Sequence, residues 1–380
     1  SPTDEQAHVG SDLLTLASLI SGNEEKRLEM ARAKIIKMTE DQPDLKALDE
    51  AGVLLKNGGL VAFPTETVYG LGGNALDPEA ARKIYAAKGR PSDNPLIVHI
   101  ADMEHLAPIV REVPEAAARL ASVYWPGPLT MIFWKSSLVP YETTGGLDSV
   151  AVRMPESRIA RELIRRSGGY VAAPSANTSG RPSPTMASHV EEDLAERIDM
   201  ILDGGMVKIG LESTIVDFTE EIPVILRPGY LNRQMLEQVL GTVRVDPGIQ
   251  EENAQVRPKA PGMRYRHYAP RAELTIVEGP QERVAETIRQ LAGEKLRQGR
   301  RVGILCAGET EATYREGKVV VLGSRSGEEE IARHLYEALR SFDAEGTEYI
   351  YSEAFDTPRM GQAIMNRLLK AAGHRVLQVR

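Results

Sequence analysis

The chain of 380 residues contains a single cysteine, Cys306, which excludes an internal disulfide and a cysteine-based zinc cluster. Such a composition is typical of a reducing compartment, and it predicts a cytoplasmic protein. Cys306 follows the apolar run VGIL, which indicates an inert thiol in a buried strand. No apolar run of about 18 residues occurs, so no membrane span is predicted. The acidic start of the chain also counts against a secretory signal.

Aromatic residues make up only 5% of the chain, and the formal net charge is -8. The acidic total argues against a protein that coats nucleic acid, although a local basic cleft is compatible with it. Two nucleotide-binding motifs are missing, because neither GxxxxGK[ST] nor GxGxxG after a strand occurs. Any phosphate site must therefore be built from other residues.

The length of the chain favours two domains. Residues 34–245 contain strands and helices, but several strands follow one another directly, which predicts a mixed α/β sheet. Residues 246–271 combine proline, glycine and charge like a linker, yet RYRHY within them is too rich in cations and aromatics for a spacer. Residues 272–380 alternate strand and helix, which predicts a smaller parallel α/β domain. Residues 1–33 form an extension without an assigned role, in which we expect two helices, Asp12 to Ile20 and Asn23 to Lys34.

The stretch from Gly58 to Ile100 gathers polar and cationic side chains between two apolar runs. After the run LVAF the chain turns at Pro64, and a helix is predicted from Asp77-Pro78, an N-cap followed by proline, to Lys88-Gly89. A second strand, LIVHI, follows. The pattern therefore predicts a strand, loop, helix, strand unit with functional groups at its loop ends.

Two loops carry groups that suit phosphate. Lys88-Gly-Arg90 places a point charge and a bidentate fork just after a helix, although such a pair also fits a solvated helix cap. The loop AAPSANTSGRPSPT, residues 172–185, concentrates hydroxyl and amide groups, and its alternative is a polar surface turn. Other strands end in arginine or serine, at 149–153, Ser213 and Arg227, so a shared crevice at the strand ends is predicted.

His99 ends its strand and fits either a buried structural imidazole or a ligand contact. No HExxH or paired histidine occurs, and no Ser-His-Asp arrangement is decidable, so no metal held by protein side chains is predicted. The groups present fit electrostatic catalysis at phosphorus, with Mg²⁺ carried by a nucleotide, rather than a covalent intermediate.

With these residues assembled, the chain resembles the L-threonylcarbamoyladenylate synthases, in the two-domain form of the YrdC-like family. The resemblance covers about residues 34–380 and rests on Lys88-Gly-Arg90 followed by Ser175-Ala-Asn177. The segments FPTETVYGLG, KGRPSDNPLIVHI, SVAVRMP, APSANTSGRPSPT, STIVDF, LRPG and PGMRYRHYAP match as well. It implies a YrdC-like twisted mixed sheet with flanking helices and a smaller C-terminal Rossmann-like parallel α/β domain. Ala260 and Arg264 depart from the Ser and Lys that the family often has in its linker.

The resemblance implies a nucleotidyltransferase that makes L-threonylcarbamoyladenylate and pyrophosphate from L-threonine, bicarbonate and ATP. The intermediate serves threonylcarbamoyladenosine modification of tRNA, so the product would pass to the tRNA threonylcarbamoyl-transferase machinery, while direct tRNA binding stays open. Mg²⁺ would accompany ATP, and the linker would reach back to the active site. The implied catalytic residues are Lys88, Arg90, Ser175 and Asn177. The implied threonine-binding residues are Thr67, His99, Arg153, Ala173 and Ser213. The implied ATP-binding residues are Arg90, Asn94, Ser149, Ser175, Ser183, Arg227 and, from the linker, Tyr265.

Two alternatives remain at the level of sequence. An RNA-binding YrdC-like module without catalysis is disfavoured by the acidic total and the few aromatics, and it would not require threonine. A carbamoyl-transferring relative of the hydrogenase-maturation type would carry cysteine-rich zinc segments, which this chain lacks.

Overall fold

The computed structural model describes the backbone of residues 4–249 and 267–380, and it describes their side chains except at 4–11 and 27–30. Its helices are α1 (Asp4–Ala31), α2 (Leu45–Lys56), α3 (Pro78–Lys88), α4 (Glu115–Tyr124), α5 (Arg158–Arg166), α6 (Ala187–Leu194), α7 (Arg233–Leu240), α8 (Gln281–Arg297), α9 (Glu328–Ala344) and α10 (Gly361–Ala371). Its strands are β1 (Lys34–Lys37), β2 (Val61–Pro64), β3 (Tyr69–Asn74), β4 (Ile97–His99), β5 (Leu129–Trp134), β6 (Ser149–Arg153), β7 (Val171–Ala172), β8 (Met200–Asp203), β9 (Thr214–Asp217), β10 (Val224–Arg227), β11 (Arg244–Val245), β12 (Glu273–Glu278), β13 (Val302–Cys306), β14 (Lys318–Val321), β15 (Tyr349–Glu353) and β16 (Val376–Gln378).

Eleven strands form the first sheet, in the order β1-β8-β2-β3-β7-β4-β6-β5-β9-β10-β11. The sheet contains parallel pairs such as β4 with β6 and antiparallel pairs such as β5 with β6, so the predicted mixed sheet is confirmed. Helices α2 and α5 pack together, and their buried faces form one core with β2 and β8. The carboxyl ends of β4, β6 and β10 carry His99, Arg153 and Arg227, so these side chains start from the edge where strands end.

Helix α3 begins and ends where the sequence predicts. The side chain of Asp77 accepts a hydrogen bond from the amide of Glu79 at 3.0 Å, and Pro78 opens the first turn. Gly89 ends the helix at a φ of 65°, which a residue without a Cβ adopts at little cost. The arrangement delivers Lys88 and Arg90 into the interior at the helix end.

The predicted loop between Pro64 and α3 is wrong, because it contains strand β3. Gly70, Gly72 and Gly73 weaken the sequence signal of a strand, but close packing requires them. A Cβ at Gly72 would lie 2.9 Å from the Phe63 ring and 3.0 Å from Val171. The unit is therefore strand, turn, strand, helix, strand, and its hairpin turn holds Thr65 and Thr67.

The two helices predicted near the amino terminus are also wrong, because α1 continues from Asp4 to Ala31. A glycine in a helix costs only about 1 kcal/mol, so Gly22 does not interrupt it. Lys34 lies in β1 rather than in a helix, opposite Met200 of β8.

The second sheet has five strands in the order β14-β13-β15-β12-β16, and every pair is parallel. This confirms the predicted parallel sheet, although β15 lies between β12 and β13 and the sequence did not indicate β16. Side chains of α8 pack on one set of strand residues, while those of α9 and α10 pack on another. The described parts of the chain contain no helix with both the length and the apolar character to cross a membrane.

Candidate active site

A cavity of about 40 Å³ lies where loops and strand ends of the first sheet meet the end of the linker. Seventeen of the residues that the structure describes line it: Thr65, Thr67, Val68, Tyr69, Gly70, Arg90, Ile97, His99, Arg153, Ala173, Pro174, Ser175, Glu212, Ser213, Arg227, His267 and Tyr268. The lining contains three arginines and one glutamate. Because positive charge is in excess, the cavity suits an anionic ligand such as a carboxylate or a phosphate.

One side of this cavity, which we call the Arg153 half, comprises Thr67, His99 and Arg153. The guanidinium of Arg153 donates from Nη1 to Thr67 Oγ1 at 2.8 Å, from Nε to the Gly127 carbonyl at 3.2 Å, and from Nη2 to Glu66. The second oxygen of Glu66 accepts from the amide of Glu156 at 2.8 Å. Arg153 is thus held in one orientation by partners that all come from the first sheet's own connections.

His99 adds a neutral imidazole to the same half. Burial and the nearby Arg153 lower the pKa of His99 to about 3. Its Nδ1 lies 3.0 Å from the carbonyl of Ile97, which only accepts, so Nδ1 donates in the neutral ring. His99 therefore contributes no positive charge at neutral pH.

A second group of lining residues, which we call the Arg227 half, comprises Arg90, Ser175, Glu212 and Arg227. Arg227 donates from Nε to the carbonyl of Ser213 at 2.9 Å and from Nη2 to its Oγ at 3.1 Å. Burial opposes a charged Glu212, but Arg367 and Arg227 outweigh this cost and lower the pKa of Glu212 to about 2. The half therefore carries a permanent negative charge beside its arginines.

Lys88 and Arg90 are both buried, so the solvated helix cap proposed as an alternative is excluded. The ammonium of Lys88 donates to the carbonyls of Ser175 and Asn177, the latter at 2.7 Å. Burial is the main cause that lowers the pKa of Lys88 well below its usual value. Lys88 does not line the cavity but ties α3 to the loop behind Ser175, whereas Arg90 reaches the cavity itself.

Several implied site residues are buried but do not line the cavity. The amide oxygens of Asn94 and Asn177 are buried and accept no hydrogen bond within the described residues. Ser183 donates to Glu212 Oε2 at 2.6 Å, so it reaches the cavity through that carboxylate. Ser149 is buried at the start of β6. Tyr265 lies outside the described residues.

Nine lining residues were not assigned a role by the sequence: Thr65, Val68, Tyr69, Gly70, Ile97, Pro174, Glu212, His267 and Tyr268. The cluster RYRHY was the available signal for the last two, since it was too rich in cations and aromatics for a spacer. Tyr268 has a φ of 60°, a left-handed conformation that a tyrosine adopts only under strain, as often occurs at functional sites. Glu212 carried no local signal, because it is one isolated carboxylate.

A possible cation site is separate from this cavity. Asp102, Glu104 and His105 bring their ligand atoms within 4.8 Å of one another. Asp102, however, accepts hydrogen bonds from Arg165 at 3.0 and 3.3 Å, and acidic groups of this kind are common on surfaces.

Comparison with known proteins assigns both parts of the chain. A family model described as telomere recombination matches residues 53–229, and the model of the threonylcarbamoyl-AMP synthase C-terminal domain matches residues 231–373. The threonylcarbamoyl-AMP synthase of Pyrococcus abyssi is 48% identical over 345 residues, which cover 91% of this chain and 99% of that protein. This chain belongs to the threonylcarbamoyl-AMP synthase family.

Other members of the threonylcarbamoyl-AMP synthase family agree in sequence and in fold. The enzyme of that name from Bacillus subtilis is 48% identical over 330 residues, or 87% of this chain and 94% of that one. The crystal structure of P. abyssi Sua5 complexed with L-threonine has a TM-score of 0.86 and 46% identity, and the match covers 92% of this chain and 99% of that chain. These relatives support the synthase interpretation and not the RNA-binding or carbamoyl-transfer alternative.

Proposed function

We propose that this member of the threonylcarbamoyl-AMP synthase family joins L-threonine, bicarbonate and ATP into threonylcarbamoyl-AMP, with release of pyrophosphate. The observation that carries the proposal is that residues implied for both substrates line the same cavity. All five residues implied for threonine binding line it, namely Thr67, His99, Arg153, Ala173 and Ser213, together with Arg90, Ser175 and Arg227 of those implied for ATP. The relative from P. abyssi whose fold matches was crystallised with L-threonine.

The Arg153 half suits a small amino acid. Arg153 is already oriented by Thr67, Glu66 and Gly127, so it would lose little conformational entropy when it binds a carboxylate. Neutral His99 would not repel the threonine amine, and its Nε2 could accept a hydrogen bond from it. Hydroxyls of Thr65 and Thr67, 2.9 Å apart, would face the polar end of the substrate.

The Arg227 half suits the nucleotide. Arg90 and Arg227 would offset phosphate charge, and the buried amide oxygen of Asn94 would accept a hydrogen bond from an ATP amine or hydroxyl. Among the described residues that line the cavity, Glu212 is the one carboxylate, and it already accepts from Ser183, Tyr336 and Arg367. Mg²⁺ would therefore be held by the phosphate oxygens of ATP rather than by side chains of the cavity wall.

The chemistry then follows from placing the two substrates in line. Bicarbonate loses hydroxide to give CO₂. The nitrogen of the neutral threonine amine bonds to the carbon of CO₂ and gives up a proton, so that a carbamate and water are formed. A carbamate oxygen attacks the α-phosphorus of ATP, and pyrophosphate leaves from the opposite side. The residues of this chain would supply orientation and compensating charge rather than a covalent intermediate.

The linker would have to move during this cycle. Sites for small molecules usually measure about 300–1,000 Å³, whereas this cavity has about 40 Å³. His267 and Tyr268 form part of its wall, and the amide of Ala269 donates to the Gly180 carbonyl at 2.9 Å. Displacing this linker end would open the cavity towards the 172–185 loop. The product would then pass to the tRNA threonylcarbamoyl-transferase machinery, in a cytoplasmic setting.

The test is to incubate the protein with ATP, Mg²⁺ and labelled bicarbonate, with and without L-threonine, and to measure pyrophosphate. We expect threonine-dependent release of pyrophosphate and labelled threonylcarbamoyl-AMP. Serine, which lacks the methyl group, is the matched substrate control. Release of pyrophosphate that is indifferent to threonine, or none at all, would contradict the proposal.

A further inference from the structure

Helices α9 and α10 pack on the second sheet, and they contact the loops that carry the Arg227 half. The amide of His267 donates to the Lys370 carbonyl of α10 at 3.3 Å, and the rings of Tyr268 and Tyr336 lie 5.5 Å apart. Val68 and Leu211 of the first domain belong to the same hydrophobic core as Leu335 and Leu368. The two domains therefore share a buried hydrophobic core, and this core adjoins the Arg227 half of the cavity.

The polar centre of this contact is the carboxylate of Glu212. Tyr336 of α9 donates its hydroxyl to Glu212 Oε1 at 2.7 Å and lies 3.0 Å from Oε2. Arg367 of α10, with its side chain fully buried, donates from Nε to Oε1 at 3.1 Å. Ser183 donates to Oε2 at 2.6 Å. One carboxylate thus joins the 172–185 loop to two helices of the other domain.

Arg367 also reaches the backbone of two further segments. Its Nη2 donates to the carbonyl of Glu212 at 2.9 Å, and its Nη1 donates to that of Pro228, the residue after Arg227. These bonds hold the main chain at Glu212, which precedes Ser213, and at Pro228, which follows Arg227. Removing the guanidinium would release both segments together.

Arg340 of α9 makes a second connection to the 172–185 loop. It donates to the Pro182 carbonyl at 2.8 Å and to both oxygens of Asp193, at 3.0 and 2.9 Å. Asp193 in turn accepts from the amide of Thr178 at 2.9 Å and from Arg181 at 2.6 Å. The loop is therefore attached to α9 at a point distinct from Glu212.

We propose that Tyr336 and Arg367 of the C-terminal domain are positioning residues for the nucleotide: they hold the Glu212 carboxylate so that it orients Ser183 and stays away from Arg227. After Arg367, the cation that acts most strongly on Glu212 is Arg227, and an ion pair there would withdraw the guanidinium from a phosphate. The proposal rests on the function proposed above and extends it, since it gives the C-terminal domain a role in ATP binding rather than in threonine binding.

The test compares two substitutions that each delete one buried tyrosine hydroxyl. Tyr336→Phe removes the bond to Glu212 and keeps the ring. Tyr314→Phe is the matched control, because its hydroxyl donates to the buried Glu353 at 2.7 Å within the same domain, away from the cavity. For each protein one measures the KM values for ATP and threonine, kcat, and the affinity for a non-hydrolysable ATP analogue by calorimetry.

We expect Tyr336→Phe to raise the KM for ATP and to weaken the analogue by about tenfold, the effect of losing one hydrogen bond to a charged group. In Tyr336→Phe the KM for threonine should change by less than about twofold, because the Arg153 half is not perturbed. Tyr314→Phe should resemble the wild type, because it does not perturb the Arg227 half. Arg367→Lys, which keeps the charge but loses the fork, should behave like Tyr336→Phe with a larger change.

The inference is overturned if Tyr336→Phe binds the analogue as the wild type does, or if both tyrosine variants weaken it equally. Equal increases in both KM values would also overturn it, because they would indicate a general loosening. Calorimetry with the analogue does not depend on turnover. A wild type that binds it but releases no pyrophosphate with threonine would therefore refute the synthase proposal while leaving this one intact.

Discussion

The two halves of the cavity are held in different ways. In the Arg153 half, the guanidinium is fixed by Thr67, Glu66 and Gly127, all of which belong to the first sheet and its connections. In the Arg227 half, the nearby carboxylate and loops are fixed by Arg340, Tyr336 and Arg367 of another domain. One half is thus self-contained, and the other depends on a domain contact. The four predictions below test that difference, from the largest expected effect to the smallest.

Replacing Arg153 by lysine should damage the self-contained half most. A lysine cannot bridge Thr67, Glu66 and Gly127 at once, so two or more charge-assisted hydrogen bonds are lost and threonine-dependent turnover should fall about a hundredfold. Steady-state kinetics would assign the loss to threonine rather than ATP. Arg165→Lys, in an exposed pair with Asp102, is the control. An unchanged KM for threonine would show that Arg153 is only structural.

Replacing Gly72 by alanine should strain the packing behind the same half. The new Cβ would lie 2.9 Å from Phe63 and 3.0 Å from Val171, so the free energy of unfolding should fall by about 1–3 kcal/mol. Urea denaturation measures it. Gly22→Ala in α1 meets no atom within 4 Å and should not destabilise the protein. Equal stability of both variants would mean that β3 tolerates displacement.

Replacing Lys88 by methionine should affect the Arg227 half without unfolding it. The methionine side chain is unbranched and only one atom shorter than that of lysine, so it removes the buried charge at little change of shape, while the carbonyls of Ser175 and Asn177 lose their donor. Turnover should fall about tenfold through the KM for ATP, with a small change in melting temperature. Lys83→Met is the control, since Lys83 on the same helix also donates to a backbone carbonyl, that of Gly58 at 2.9 Å. Full activity of Lys88→Met would leave Lys88 without a role in the site.

Acid should weaken the protein partly through His189, which lies behind the Arg227 half and accepts from the amide of Thr185 at 3.1 Å. Burial and Arg340 lower the pKa of His189 to about 4, with Asp193 opposing and Arg181 assisting. Below pH 6.5 the unfolded chain binds a proton that the folded chain refuses until about pH 4, so stability is lost as the pH falls through this range.

The measurement is urea unfolding of the wild type and of His189→Asn. At pH 5.5 the wild type should have lost about 1 kcal/mol more than the variant, relative to pH 7.5. Between pH 7.5 and 8.5, above both pKa values, the two proteins should change alike. Parallel stability curves through the acid range would show that His189 is protonated in the folded protein.

The sequence predicted those parts of the fold that local rules determine. Helix α3 was found because Asp77, Pro78 and Gly89 mark its ends, and the parallel C-terminal sheet follows from alternating strands and helices. Strand β3 was missed because glycines weaken the sequence pattern of a strand. Gly72 is needed for close packing against Phe63 and Val171, and Val171 is distant from it in the sequence. The site residues came from motif resemblance, and most of them share one cavity, yet their roles stay predictions.

The support of the Arg227 half could not have been predicted in this way. Glu212 is an isolated carboxylate, and its partner Arg367 lies 155 residues further along the chain. No local pattern pairs residues so far apart, because the pairing depends on how two separately built sheets dock. Sequence motifs therefore located the groups of the site, whereas the domain contact that orients them required the structure.

The separation between Glu212 and Arg367 in the sequence also affects the order in which the two halves of the cavity form during translation. Translation runs at about 5–20 residues per second, so the 155 residues that separate them take roughly 8 to 30 s to make. During that interval the first sheet can fold around Arg153, while Glu212 has only Ser183 and solvent as partners. In this order of synthesis the Arg153 half can form first, and the Arg227 half is completed only when α10 has left the exit tunnel.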